Sequence, residues 1–176
     1  MDRRRFLRTV MTAAPVLALP TVATAVPTGP RVLRFAHLHT AETLEVEYMD
    51  GVRYLPDALT AVNRLLRDFR TGDVHDIDPR LLDLLHALKG ATGSGQPFEI
   101  ISGYRSPKTN AMLRTHGGGG VASGSLHMRG QAIDIRVADV RLTDLREAAL
   151  DLARGGVGYY PSSNFVHVDT GRVRRW

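Results

Sequence analysis

The chain predicts an α+β domain: a small, mostly antiparallel sheet with flanking helices. Three observations predict it. Short runs alternate apolar and polar residues, as half-buried strands do; stretches with apolar residues at three- and four-residue steps precede and interleave with them; and no internal repeat or low-complexity segment divides the sequence into modules. At 176 residues there is enough chain for one domain with a proper core.

The first 25 residues stand apart from that domain. Arg3-Arg4-Arg5-Phe6-Leu7-Arg8 follows the twin-arginine export pattern, and an apolar run from Val10 to Val22 comes after it. Pro15 and Pro20 break that run, which is shorter than the roughly 20 apolar residues of a spanning helix. Ala23-Thr24-Ala25 offers a small-residue cleavage site. Residues 1–25 therefore read as a twin-arginine signal peptide cleaved near Ala25. Residues 26–176 then form a single periplasmic domain with no stable membrane insertion.

From Val26 to Pro30 the mature chain opens with a short lead-in. Val32–Phe35 and Thr43–Tyr48 read as strands, and Asp50-Gly51 as a turn into a return strand, Val52–Leu55. His37 and His39 lie between the first two strands. On a strand they would share a face, but no carboxylate motif accompanies them, and a polar edge is the better reading. Leu59, Val62, Leu65, Leu66 and Phe69 place a helix over Asp57–Phe69, ended by Thr71-Gly72. Asp78-Pro79 opens a second helix as N-cap and first helical residue, with Leu81, Leu82, Leu84, Leu85 and Leu88 on its apolar face and Gly90 as its stop. His86 on that helix reads as a packed histidine.

Phe98–Ile101 is a strand leading into Ser102-Gly-Tyr-Arg105-Ser, and Pro107 starts a short helix. Gly117–Gly120 is a flexible run without the Gly-Lys-Ser/Thr continuation of a phosphate loop. It reads equally as a flap or a linker. A last helix spans Thr143–Ala153 with Thr143 as N-cap, terminated by Gly155-Gly156. Val157–Tyr160 and Phe165–Val168 form a closing hairpin through Pro161–Asn164.

Composition excludes several function classes. The formal charge is +5, of which Arg3, Arg4, Arg5 and Arg8 against Asp2 supply +3. The remainder is too mild to argue for nucleic acid. There is no cysteine, so a metal site here must use histidine and carboxylate.

The chemistry concentrates in Ser125-x-His127-x-x-Gly130-x-Ala132-x-Asp134 and in Asn164-Phe-Val-His167-Val-Asp169. A loop presenting His127 and running into a strand brings His127 and Asp134 to one end of a sheet, and His167 comes from another strand. Three protein ligands with a fourth position left for water is the arrangement of a catalytic zinc. In a strand Asp169 points to the same face as His167, roughly 6.5 Å along the chain. It is therefore a candidate general base or a partner that orients an imidazole.

These motifs, with Ser102-Gly-Tyr-Arg105-Ser, Gly156-Val-Gly-Tyr-Tyr-Pro161 and Phe165-Val-His167-Val-Asp169, resemble the M15 family of zinc D-Ala-D-Ala peptidases, and within it the murein endopeptidase K branch. The resemblance spans roughly residues 30–171. It implies a Hedgehog/D-Ala-D-Ala peptidase-like fold and one Zn²⁺ held by His127, Asp134 and His167. It also implies hydrolysis of D-amino-acid cross-link peptides of peptidoglycan by a monomer that binds no nucleic acid. It assigns Arg105 to the charge developing on the tetrahedral intermediate, and it makes Ser125, Tyr104 and Tyr159 (with Tyr160) candidate substrate contacts. The sequence departs from many members at Asn164, where they carry a catalytic Glu; the murein endopeptidase K branch lacks that Glu as well. Alternatives are a non-catalytic peptidoglycan-binding module, a D,D- or L,D-carboxypeptidase, and a structural zinc domain like that of Hedgehog signalling proteins.

Overall fold

The computed structural model describes residues 29–116 and 121–176. The twin-arginine segment and the Gly117–Gly120 run lie outside the described residues.

The described strands form one sheet rather than separate hairpins. In chain order they are β1 (Arg31–His37), β2 (Thr43–Asp50), β3 (Arg53–Tyr54), β4 (Phe98–Ser102), β5 (Ala132–Val137), β6 (Gly156–Tyr160), β7 (Phe165–Asp169) and β8 (Arg174–Arg175). Their spatial order is β3-β2-β1-β4-β5-β7-β6-β8. Pairing is antiparallel except for β1 with β4 and β6 with β8. With four α-helices among the described residues, α1 (Pro56–Leu65), α2 (Pro79–Thr92), α3 (Pro107–His116) and α4 (Leu142–Leu152), this is the α+β class the periodicities predict.

Strand alternation sorts the residues onto two faces. Ile133, Ile135 and Val137 of β5 and Val166 and Val168 of β7 join the core, where Leu81, Leu82, Leu85 and Leu88 of α2 and Leu145 of α4 are buried. Each such leucine or isoleucine contributes about 1.5–3 kcal/mol by leaving water. The intervening positions, Asp134 and Arg136 on β5 and Phe165, His167 and Asp169 on β7, fall on the opposite face. A one-residue slip between β5 and β7 would drive His167 and Asp169 into the leucines. The same burial that holds the sheet therefore fixes which side the chemistry occupies.

Local signals hold at some ends and fail at others. Asp78 caps α2, its carboxylate accepting from the Arg80 N–H at 3.0 Å, with Pro79 at the first helical position. Gly90 does not stop α2; the helix continues to Thr92 and ends at Gly93 in the left-handed region. The cost of a mid-helix glycine, about 0.5–1 kcal/mol, is outweighed by burial of Leu88 on the same stretch. Helix α1 stops at Leu65 rather than Phe69, because tertiary bonds take over the backbone beyond it. The Leu66 carbonyl accepts from Tyr104 N–H at 2.7 Å, and the buried Asp68 carboxylate accepts from Arg70 and Ser106 N–H at 2.9 and 2.8 Å. Thr143 is inside α4 and Arg141 takes the cap position, its guanidinium bonded to Asp144 in the first turn.

Candidate metal centre

Three elements deliver the three ligand candidates. His127 sits in a 3-10 turn, Leu126–Arg129, closed by Gly130 at φ +64°. A Cβ at Gly130 would lie 2.1 Å from the Asp76 carbonyl oxygen, so only glycine lets this turn press against the segment before α2. Asp134 and His167 face one another across the β5–β7 ladder, where opposed residues approach within about 4.5–5.5 Å at Cβ. A register shift at the end of β4 sets Ser102 opposite Asp134, and the loop carrying Arg105 leaves the sheet beside that carboxylate.

The side chains converge. His127 Nε2 lies 3.1 Å from His167 Nδ1 and 3.2 Å from Asp134 Oδ1, and His167 Nδ1 is 2.8 Å from the same oxygen. All three residues are buried. The outer nitrogen of each imidazole is already committed. His127 Nδ1 is 2.7 Å from the Gly103 carbonyl oxygen, which can only accept, so Nδ1 carries the proton. His167 Nε2 is 3.1 Å from Asp169 Oδ2 and donates to it.

That tautomer assignment is the test of whether a metal fits. With both outer nitrogens protonated, neutral imidazoles turn two lone pairs toward a carboxylate oxygen, and three acceptors crowd together with no donor among them. Such a cluster could hold a cation at its centre. Separations of 2.8–3.2 Å are close to the edge of about 3.3 Å for a tetrahedron with zinc–ligand bonds of about 2.0–2.1 Å. Without the ion a proton takes the place. Burial alone would lower the His167 pKa, but hydrogen bonds to Asp134 and Asp169 outweigh it and push it to about 9. Burial likewise would raise Asp134, yet His127 and His167 hold it well below the usual carboxylate range.

Asp169 is wholly buried. Besides His167, its oxygens accept from Gly156 and Gly171 N–H at 3.0 and 2.8 Å, and from Arg174 through two parallel bonds at 3.0 and 2.7 Å. Burial would raise its pKa, but His167, Arg174 and the two backbone donors keep it well below the usual range. A carboxylate so saturated and so far from solvent has no lone pair free for a substrate water. These bonds favour the reading of Asp169 as an orienter of His167 over its reading as a general base.

A cavity of about 400 Å³ opens beside the triad. Arg105 and Ser125 line it, and so do Tyr160, Phe165, Arg174 and Trp176. The Arg105 side chain is largely buried, with Nη2 3.7 Å from Asp134 Oδ2 and with Nε unpartnered among the described residues. Burial lowers its pKa, against the pull of Asp134. Tyr104 and Tyr159, the expected substrate contacts, are not among the residues that line this cavity. Tyr104 stacks on His75 at 4.6 Å, and Tyr159 turns to the core side of β6 with Arg146 over its ring. By alternation the next residue, Tyr160, faces the cavity instead. Asn164, at φ +55°, ends the short turn between β6 and β7 away from this cavity. Among the described residues lining the cavity, Asp134 is the only acid.

Sequence reasoning missed Arg174 and Trp176. No local pattern ties Arg174 to Asp169, five residues earlier. Trp176 did leave a trace: an isolated glycine within a strand marks a close approach, and Gly158 is one.

A family model described as peptidoglycan L,D-endopeptidase MepK matches residues 25–176. The chain is 43% identical over 177 residues to the peptidoglycan L,D-endopeptidase MepK of Escherichia coli strain K12, covering 99% of this chain and 97% of that protein. The same identity and coverage hold for the protein of that name from Shigella flexneri. The probable peptidoglycan L,D-endopeptidase MepK of Haemophilus influenzae is 44% identical over 148 residues, or 84% of this chain and 79% of the relative.

Proposed function

The chain belongs to the peptidoglycan L,D-endopeptidase branch of the M15 peptidase family, and from that premise we propose that it is a zinc-dependent hydrolase of peptide cross-links in peptidoglycan, with His127, Asp134 and His167 as the metal ligands. The observation that carries the proposal is the convergence of His127 Nε2, Asp134 Oδ1 and His167 Nδ1, three lone-pair atoms beside an open cavity. Bound there, zinc supplies Lewis acidity, polarising a carbonyl and lowering the pKa of a water toward about 7.

The chain's own residues supply the rest. The Gly103 carbonyl and Asp169 each hold one imidazole in the tautomer that turns its lone pair inward. Arg174, Gly156 and Gly171 fix Asp169 in turn. Arg105 lines the cavity with its guanidinium 3.7 Å from Asp134, and it meets the negative charge that develops on the substrate oxygen. Ser125 and Tyr160 line the groove the peptide enters. Residues 1–25 act as a twin-arginine signal that delivers the mature enzyme to the periplasm. Converting Arg3 and Arg4 to Lys should strand the precursor in the cytoplasm on fractionation, and normal export would refute that route.

Incubating the purified protein with muropeptides, with and without a chelator, tests the central reading. Products identified by mass should be peptide fragments from opened cross-links, absent with chelator and restored by zinc. Cleavage untouched by chelation would overturn the metal mechanism, and loss of only a terminal D-Ala would make the enzyme a carboxypeptidase.

A further inference from the structure

The chain's single tryptophan stands in the wall of the candidate active site. Trp176 follows β8, and its backbone continues that strand's pairing with β6. Its N–H donates to the Val157 carbonyl at 3.2 Å, and its own carbonyl accepts from Tyr159 N–H at 3.1 Å. The indole lies over Gly158, where an added Cβ would sit 2.7–2.9 Å from three of its ring atoms. Gly158 is also the residue directly opposite His167 on β7. The sheet has thus emptied the position beside a ligand candidate, and the indole fills it, with ring centroids 5.3 Å apart.

The ring is held in place yet open. Its Nε1–H donates to the Tyr160 hydroxyl at 2.7 Å, Tyr160 stacks on Phe165 at 4.6 Å, and the Arg174 guanidinium lies 4.8 Å from the indole. Half of the residue's surface nevertheless remains exposed. A large apolar ring pinned on several sides and open on the rest is a preorganised platform, because little freedom is left to lose when a ligand covers it. Its Nε1–H is already satisfied, so what it offers a ligand is the exposed apolar part of the ring.

We infer that Trp176 is a substrate-contacting, specificity-determining residue, whose indole face receives the aliphatic side chain of the peptide residue on the His167 side of the scissile bond. The inference rests on the peptidase reading above and names which part of the substrate that wall takes.

Because Trp176 is the only tryptophan, the protein's intrinsic fluorescence reports on this one position. Stopped-flow mixing of zinc-loaded enzyme with a saturating cross-linked muropeptide dimer should shift emission to the blue before product forms, and should protect the indole from acrylamide quenching. In steady state, Trp176→Ala should raise KM about tenfold with kcat within about twofold and zinc content unchanged, and Trp176→Phe should recover most of the loss. Unchanged emission and quenching during turnover would overturn the inference, as would a normal KM in Trp176→Ala. So would a fall in zinc content in both variants, which would make the indole a prop for His167 alone. Wild-type protein that binds zinc but opens no cross-link would refute the peptidase reading, while the fluorescence change would still report whether the dimer covers the indole.

Discussion

Two pairs of histidines are brought together by this fold, and among the described residues only one pair joins a carboxylate in a group that could hold a metal ion. His37 ends β1 as one of the most buried polar side chains among the described residues, and His39 follows in the next turn, exposed and stacked on Phe69 at 4.1 Å. His37 Nδ1 accepts the His39 N–H at 3.2 Å, which leaves the proton on Nε2, and nothing among the described residues accepts it. His127 and His167 are equally buried, but in each one nitrogen is held by an acceptor and the other turns inward to Asp134. Proximity is common to both pairs, and three of the four imidazoles are buried. The difference lies in the committed outer nitrogens and the shared carboxylate, which turn two imidazoles into a ligand set.

The widest separation of the pairs comes from removing the ligands. His127→Ala, Asp134→Ala and His167→Ala should each abolish tight zinc binding and turnover, while His37→Ala and His39→Ala leave the zinc content of purified protein unchanged. Full zinc occupancy in any of the first three would remove that residue from the set. Zinc loss in His37→Ala with the fold intact, checked by circular dichroism, would erase the distinction.

Smaller changes test what surrounds the triad. Arg105→Lys keeps the charge but loses the planar fork. It should cost on the order of 3 kcal/mol in the transition state, about a hundredfold in kcat, with zinc retained. Wild-type kinetics would take Arg105 out of the mechanism. Asp169→Asn removes the acceptor that fixes the His167 tautomer and faces Arg174 with an amide. Zinc affinity should fall roughly 10- to 100-fold, with activity falling alongside it. A loss of turnover at undiminished zinc affinity would instead return Asp169 to the role of base.

Part of the difference between the pairs is legible in the sequence, because spacing carries the His127–Asp134 and His167–Asp169 pairings but not the Gly103 carbonyl on His127. Ser125 to Asp134 and Phe165 to Asp169 are each local, and strand alternation converts them into faces without knowledge of the fold. The 2.0 period also places Val166 and Val168 in the core and His167 outside it. What could not be read depended on partners far along the chain. Phe69 looked helical until the Tyr104 bond to Leu66 and the Ser106 bond to Asp68 ended α1. Choosing Tyr160 over Tyr159 required knowing which side of β6 carries helices. Asp169 as base or orienter turned on Arg174, whose place is set by parallel pairing of β8 with β6.

The subtlest test of the comparison is the pH response of the pair that holds no metal. Burial pushes the His37 pKa below its usual value, and the neighbouring His39 adds to the shift. The unfolded chain takes up a proton at this residue near pH 6.5, about the unperturbed value, and the folded chain does not. Protonation therefore favours the unfolded state, and stability falls as pH drops below about 6.5 until the folded pKa is passed. His37→Asn retains an acceptor for the His39 N–H but cannot titrate. Urea midpoints of zinc-loaded wild type and His37→Asn between pH 5 and 7 should therefore converge as pH falls, since only the wild type carries this term. The ligand histidines respond alike in both proteins and cancel in the difference. Curves that stay parallel across the range would mean that His37 binds its proton as readily in the fold as in the unfolded chain, and that burial does not set it apart.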